Sequence, residues 1–177
     1  MSNMYRLTAI AMLALGLTRV VAAQPPHPAM PAGMSHEEHL AQMEKDAALK
    51  ERGASAMGFD QDKAAHHFRL DRIGGAIEVV ANDPADDALR QQIRAHLRSI
   101  AREFAGGDFG RPLATHAELP PGTRTMTQQR GALAFVYEDL PGGGRVRITA
   151  SNAKAIDAVH QFLRYQIREH KTGDAMK

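Results

Sequence analysis

Imidazole and thioether side chains are the groups in this chain best placed to do chemistry. There are nine histidines, nine methionines and no cysteine. His36, His39 and Met43 are spaced i, i+3 and i+7, so on a helix two imidazoles and a thioether share one face. Imidazole suits oxidised copper and thioether suits the reduced ion. A solvated amphipathic helix rich in His and Met would show the same pattern. A second set lies downstream. His66 and His67 are adjacent at the start of an expected strand, so they point to opposite faces and one turns inward. His96 and His160 sit on two expected helices, each about 60° from the centre of its apolar stripe. His116 falls in a long connection. His66 or His67 could join His96, His116 or His160 where the sheet edge meets the helices. His170 closes the last helix, where the helix dipole favours a cation. The expected metal ligands are therefore His36, His39, Met43, His66, His67, His96, His116 and His160, with copper as the leading ion. No His-Glu-x-x-His run, His-x-His pair or carboxylate cluster narrows this further.

Familiar catalytic patterns are missing. There is no Gly-x-Ser-x-Gly elbow and no phosphate-binding glycine loop with a lysine. Gly142-Gly143-Gly144 lies between two strands and reads as a hairpin turn. Ser35 and Ser151 read as helix caps. Arg98 with Arg102, and Arg164 with Arg168, could hold an anion, though Glu103 and Glu169 are natural partners for them. An enzyme acting on a small anion held by Arg124, Arg130 or these helix arginines is the least favoured reading.

The elements that must position these residues repeat. Arg94 to Asp108 aligns with His160 to Asp174 at an offset of 66, and Gly74 to Val79 aligns with Gly143 to Ile148 at an offset of 69. Such self-similarity marks one unit used twice. Each unit reads as strand, strand, helix. The first has strands over 64–70 and 76–81, then a helix opened by Asn82-Asp83-Pro84 with Leu89, Ile93, Leu97, Ile100 and Phe104 as its stripe. The second has strands over 131–138 and 145–150, then a helix over 153–170 lined by Ile156, Val159, Leu163 and Ile167. The halves span about 64–109 and 131–174. Residues 108–130 read as a long loop broken by Pro112, Pro120, Pro121 and Gly122. The expected fold is α+β: a four-stranded, mainly antiparallel sheet with two helices on one face. A sheet edge could support a homodimer.

Upstream, residues 1–23 read as an export signal: Arg6, an apolar run from Leu7 to Leu17, and Val21-Ala22-Ala23 before the cut. That run is too short to span a bilayer. A Pro-rich spacer covers 24–34. A helix follows within 35–56, opened by a Ser35–Glu38 capping box and stopped near Gly53. Removing Arg6 and Arg19 leaves 20 basic and 20 acidic groups, which gives nucleic acid no basic face to bind. The duplicated domain occupies 57–174. The expected location is the periplasm or the exterior.

From Met57-Gly-Phe-Asp60 with His66-His67-Phe68 through Phe162-Leu-Arg-Tyr-Gln-Ile167 and His170-Lys-Thr-Gly173-Asp174, the chain resembles a family of short exported bacterial proteins without an established activity. Some members carry an aspartate carbamoyltransferase label. Those enzymes bind carbamoyl phosphate through a Ser-Thr-Arg-Thr stretch opening a helix. This chain has only Thr123-Arg124-Thr125, read as part of a loop, so the resemblance implies the domain's extent and carries over no active site. The leading expectation is an exported, non-catalytic protein that binds a transition metal. The alternative is a module that takes a protein or small ligand on the open face of its sheet.

Overall fold

The computed structural model describes residues 33–177. The expected signal segment and most of the Pro-rich spacer lie outside the described residues. Helix α1 (His36–Met57) leads into strands β1 (Ala64–Asp71) and β2 (Gly74–Ala81), then α2 (Asp87–Ala105), α3 (Gly110–His116) and α4 (Thr123–Gln128). Strands β3 (Leu133–Leu140) and β4 (Gly143–Ala150) and helix α5 (Ala153–Glu169) complete the order. The sheet is antiparallel throughout, in the order β1-β2-β4-β3.

The repeat is visible in this geometry. Strands β1 and β3, and likewise β2 and β4, begin 69 residues apart (133 − 64 and 143 − 74), and α2 and α5 begin 66 apart (153 − 87). Both hairpins keep the same register, Ala64 facing Ala81 and Leu133 facing Ala150. At the centre Ile77 pairs with Val146, its own equivalent, so a pseudo-two-fold axis passes between β2 and β4. Even the caps match: Asp86 accepts from the Leu89 amide and Asn152 from the Ala155 amide, both at 2.9 Å.

Each helix packs mainly on the other unit's hairpin: α2 lies over β3 and β4, and α5 over β1 and β2. The contact that sets this is leucine over glycine. Leu97 of α2 sits on Gly144 of β4, where an added Cβ would stand 3.1 Å from its Cδ1, and Leu163 of α5 sits even closer on Gly75 of β2. Both leucines are fully buried, with Ile93, Val79, Val146, Ile148 and Val159 around them.

Several local expectations change. Helix α1 runs through Gly53 to Met57 and ends at Gly58, in the left-handed conformation. Gly53 is there for space, since a Cβ would meet the Gln61 side chain at 3.0 Å. Helix α2 is capped by Asp86, four residues after Asn82; Asp83 instead accepts from the Ala85 amide in the preceding turn. The long connection contains two short helices, so Thr123-Arg124-Thr125 opens α4 and is not a loop. The outer face of the sheet carries a charged ladder, in which Arg69 and Arg145 donate to Glu78, and Arg145 and Arg147 donate to Glu138. Val136 is exposed there, but opposite Arg147, so the apolar patch expected of a partner-binding sheet face is missing among the described residues.

Replacing Gly75 with alanine drives a methyl into Leu163 and the Arg69 carbonyl, and urea unfolding should show a loss of about 1–3 kcal/mol. Gly131, with open space around it, should accept alanine with a change within about 0.5 kcal/mol. Adding Leu163→Ala to Gly75→Ala should cost less than the two changes summed, because they meet at one contact.

Candidate functional site

Among the places where the pseudo-symmetry breaks, one is made of histidines. His66 occupies the position equivalent to Phe135 (offset 69), and His96 and His170 those equivalent to Phe162 and Phe104 (offset 66). On one side of the pseudo-two-fold axis Phe104 packs against Phe135 and Phe162 with ring centroids 5.8 Å apart in each pair. On the other side His66 and His170 stand 5.9 Å apart. The fold accepts phenylalanine at the pseudo-symmetric positions.

These histidines line a cavity of about 70 Å³ between the sheet and the helices. Strand β1 alternates, so His66 and Phe68 face inward while His67 and Arg69 face outward. Helix α2 contributes His96 beside Leu97 and Ile100, and α5 contributes Phe162, Gln166 and the terminal His170. The roof comes from α3, through Arg111, Thr115 and His116, and from Met57 at the end of α1. Helix α3 is held down by Phe109, whose ring centroid lies 4.5 Å from that of Phe104. Arg111 clamps the roof: its Nε donates to Glu103 at 2.8 Å and its Nη1 to the Ala56 carbonyl at 2.9 Å. Arg52 donates to the Thr115 carbonyl at 2.9 Å, so α1 is fastened at this end.

The rings contact one another. His66 is stacked between Phe59 and His170, with interplanar angles of 14° and 9°. His116 meets His170 edge-on at 5.1 Å and Tyr165 at 5.0 Å. His96 stands edge-on to Phe59 at 5.6 Å.

Burial sets the protonation. Desolvation pushes His66 and His96 down to about 4 and His170 to about 3. The neighbouring imidazoles act in the same direction on His66 and His170, and Arg111 does so on His96. His116 is lowered too, again by burial first. All four are neutral at pH 7. The expectation that the helix dipole would favour a cationic His170 is overturned, because desolvation outweighs the dipole in this packing.

One tautomer follows from the hydrogen bonds. His116 Nε2 lies 3.1 Å from Gln166 Oε1, which can only accept, so Nε2 carries the proton. Nδ1 of His116 is left with a bare lone pair, buried and without a partner. His96 Nδ1 and Gln166 Nε2 are also buried and unpartnered. His116 and Gln166 are both at least nine-tenths buried.

Of the eight expected ligands, three come together here: His66, His96 and His116. His67 does not, because it points out and donates to Asp174 at 3.1 Å. His160 does not, because its Nε2 donates to the Asp71 carbonyl at 2.8 Å. His36, His39 and Met43 lie in the first turns of α1, with His36 exposed and the other two half-buried. At 1.5 Å per residue, His39 is about 27 Å along the helix from Met57, and none of the three lines the cavity. The fourth imidazole, His170, and the Gln166 amide were not among the expected ligands. Aligning the repeats and marking where histidine faces phenylalanine would have found His170. Among the described residues, no three His, Asp or Glu side chains already converge as metal ligands. Comparisons with protein-family profiles, curated proteins and solved structures found no match.

Acid should unfold the protein through these rings. Each folded-state value lies below the ordinary 6.5, so the unfolded chain binds protons that the folded one refuses. Stability should be level above about pH 7 and fall as pH drops from 6.5 toward 4. Urea midpoints measured across that range should show the fall, and His66→Phe with His170→Phe should reduce it, leaving the part due to His96 and His116.

Proposed function

We propose that the protein binds a transition metal ion, copper first, in the cavity formed by His66, His96, His116 and His170. The observation that carries this reading is that His170, His66 and His96 line the cavity at the positions pseudo-symmetric to the clustered Phe104, Phe135 and Phe162. Neutral imidazole is the ligand form of histidine, and burial keeps all four rings neutral. His116 presents an unprotonated Nδ1 while Gln166 holds its other nitrogen, which is how a ligating histidine is ordinarily oriented. Met57 adds a thioether to the lining. Two imidazoles sharing an ion through bonds of about 2 Å stand about 5–6 Å apart, centre to centre. The separations of 5.1 Å for His116–His170 and 5.9 Å for His66–His170 fall in that span. The nitrogens do not yet converge, so binding requires the rings to turn about their side-chain bonds, with the cavity giving room.

The role is a non-catalytic one, buffering or delivering metal outside the cytoplasm. The reading of residues 1–23 as an export signal supports that location. Among the described residues no helix is long and apolar enough to cross a membrane. His36, His39 and Met43 would at most form a separate, exposed contact for metal.

Copper titration of the mature protein tests the proposal. The expected result is one ion per chain with a dissociation constant well below micromolar. His66→Phe with His170→Phe, which copies the packing across the pseudo-two-fold axis, should fold and lose that binding. Gln166→Leu should weaken it about 10–100-fold, as loss of an outer partner does. His36→Ala with His39→Ala should leave it unchanged. Millimolar affinity, or tight binding that survives the His66→Phe/His170→Phe change, would reject the site.

A further inference from the structure

We propose that the groove between strand β3 and helix α2 is a docking site for an extended, acidic segment of a partner protein, which adds to the free edge of β3. The other end of the sheet shows how such a groove is filled. There the chain's own C-terminal tail lies between β1 and α5. Asp174 accepts from the Phe68 amide at 2.9 Å and from His67, and two residues later the Met176 carbonyl accepts from Arg164 Nε at 2.9 Å. A carboxylate on the strand amide and a carbonyl on the helix arginine thus hold the tail at both walls.

The same two walls stand at the opposite edge. Tyr137 is the counterpart of Phe68 (offset 69), and Arg98 that of Arg164 (offset 66). The Ala132 carbonyl accepts from the Ser151 amide, so by alternation the Tyr137 amide points away from β4, as the Phe68 amide points away from β2. No hydrogen bond from a described residue reaches it. Asp108, the counterpart of Asp174, does not serve it, because that carboxylate is turned to the Gly110 amide at the start of α3. Strand β3 also lacks the devices that protect an edge. From Leu133 to Tyr137 it has no charge, proline or bulge, and Val136 is 52% exposed.

Charge chooses the occupant. Arg94, Arg98 and Arg102 recur every four residues, so they share one flank of α2, and Arg98 over the Tyr137 ring places that flank beside the edge. Arg94 and Arg98 share the carboxylate of Asp139, at 3.4 and 3.3 Å, while Arg102 meets only the Ser99 hydroxyl among the described residues. A second copy pairing through its own β3 would bring another arginine row against this one, which disfavours it. An acidic strand satisfies the edge amides and the arginine row together, as the tail does at β1.

The probe is a peptide with the sequence of residues 172–176, acetylated and amidated so that its aspartate is the one charge, titrated into isotope-labelled mature protein. The amide resonances of Val136, Tyr137 and Arg98 should shift together, with a dissociation constant below about a millimolar. Those of β1, already closed by its own tail, should stay still. Asparagine in place of the peptide's aspartate should weaken binding at least about tenfold, the worth of one charge-assisted hydrogen bond. Arg98→Glu, an exposed change that leaves the core untouched, should do the same, and so should Arg102→Glu. If no β3 resonance shifts, or if the asparagine peptide binds equally well, the groove is not a docking site for an acidic strand. Sedimentation should find the mature chain monomeric; a dimer whose contact maps to β3 would give the edge to a second copy and equally overturn the assignment.

Discussion

Two leucines lying on two bare glycines hold this molecule together. Leu97 reaches Gly144 and Leu163 reaches Gly75, so each helix is seated on the hairpin of the opposite unit. Neither unit can bury its aliphatic stripe alone, since a hairpin and one helix leave an apolar face open. The exchange closes both faces at once around the Ile77–Val146 pair. Glycine is needed on the central strands because any side chain there would lift the leucine off the sheet. The identities shared by the repeats, glycine in the strand and leucine in the helix, are the two sides of this contact.

That scaffold holds two aromatic clusters in equivalent positions, and only one is apolar. Phe104, Phe135 and Phe162 fill the space as a core ordinarily does. Their counterparts His170, His66 and His96 fill a similar space while placing nitrogen atoms in it. The surroundings are the same inner sheet face and the same pair of helices, so the rings are desolvated and stay neutral. Equivalent residues beyond the helices also diverge. Asp108 accepts from the Gly110 amide and starts α3, whereas its counterpart Asp174 accepts from the Phe68 amide at 2.9 Å and from His67 and Thr172. Although burial would raise it, these donors hold the Asp174 carboxyl below its usual value. The chain end is thereby pinned along β1, next to the histidine cluster.

Much of this was legible in the sequence because the repeat is written in residue spacing. The offsets of 66 and 69 locate the hairpins and the two helices of the repeat, and the alternation at His66-His67 shows that one ring turns inward. Short helices were not legible. Six or seven residues in α3 and α4 cannot display a period, and the prolines and glycines around them read as breakers. Gly53 looked like a stop because its reason, the approach of Gln61, is tertiary. The inward position of His116 depends on where α3 folds back, which no local pattern encodes. His170 was hidden differently. It stands on the stripe of its helix, and the helix dipole alone argues for charge; only the packing of Phe68, His66 and His116 around it reverses that.

The arrangement carries an internal measure of its purpose. A buried polar atom without a partner destabilises a fold by on the order of 1–3 kcal/mol, and this cavity holds three: Nδ1 of His96, Nδ1 of His116 and Nε2 of Gln166. The phenylalanines at the pseudo-symmetric positions show that the fold has an apolar solution at three of the positions. Local rules broken together at one spot are expected at functional sites. The same spot is where the end of α1 and helix α3 close over the imidazoles. Cover by α1 and α3 and unpaired polar atoms beneath it are two features of one side of a duplicated fold.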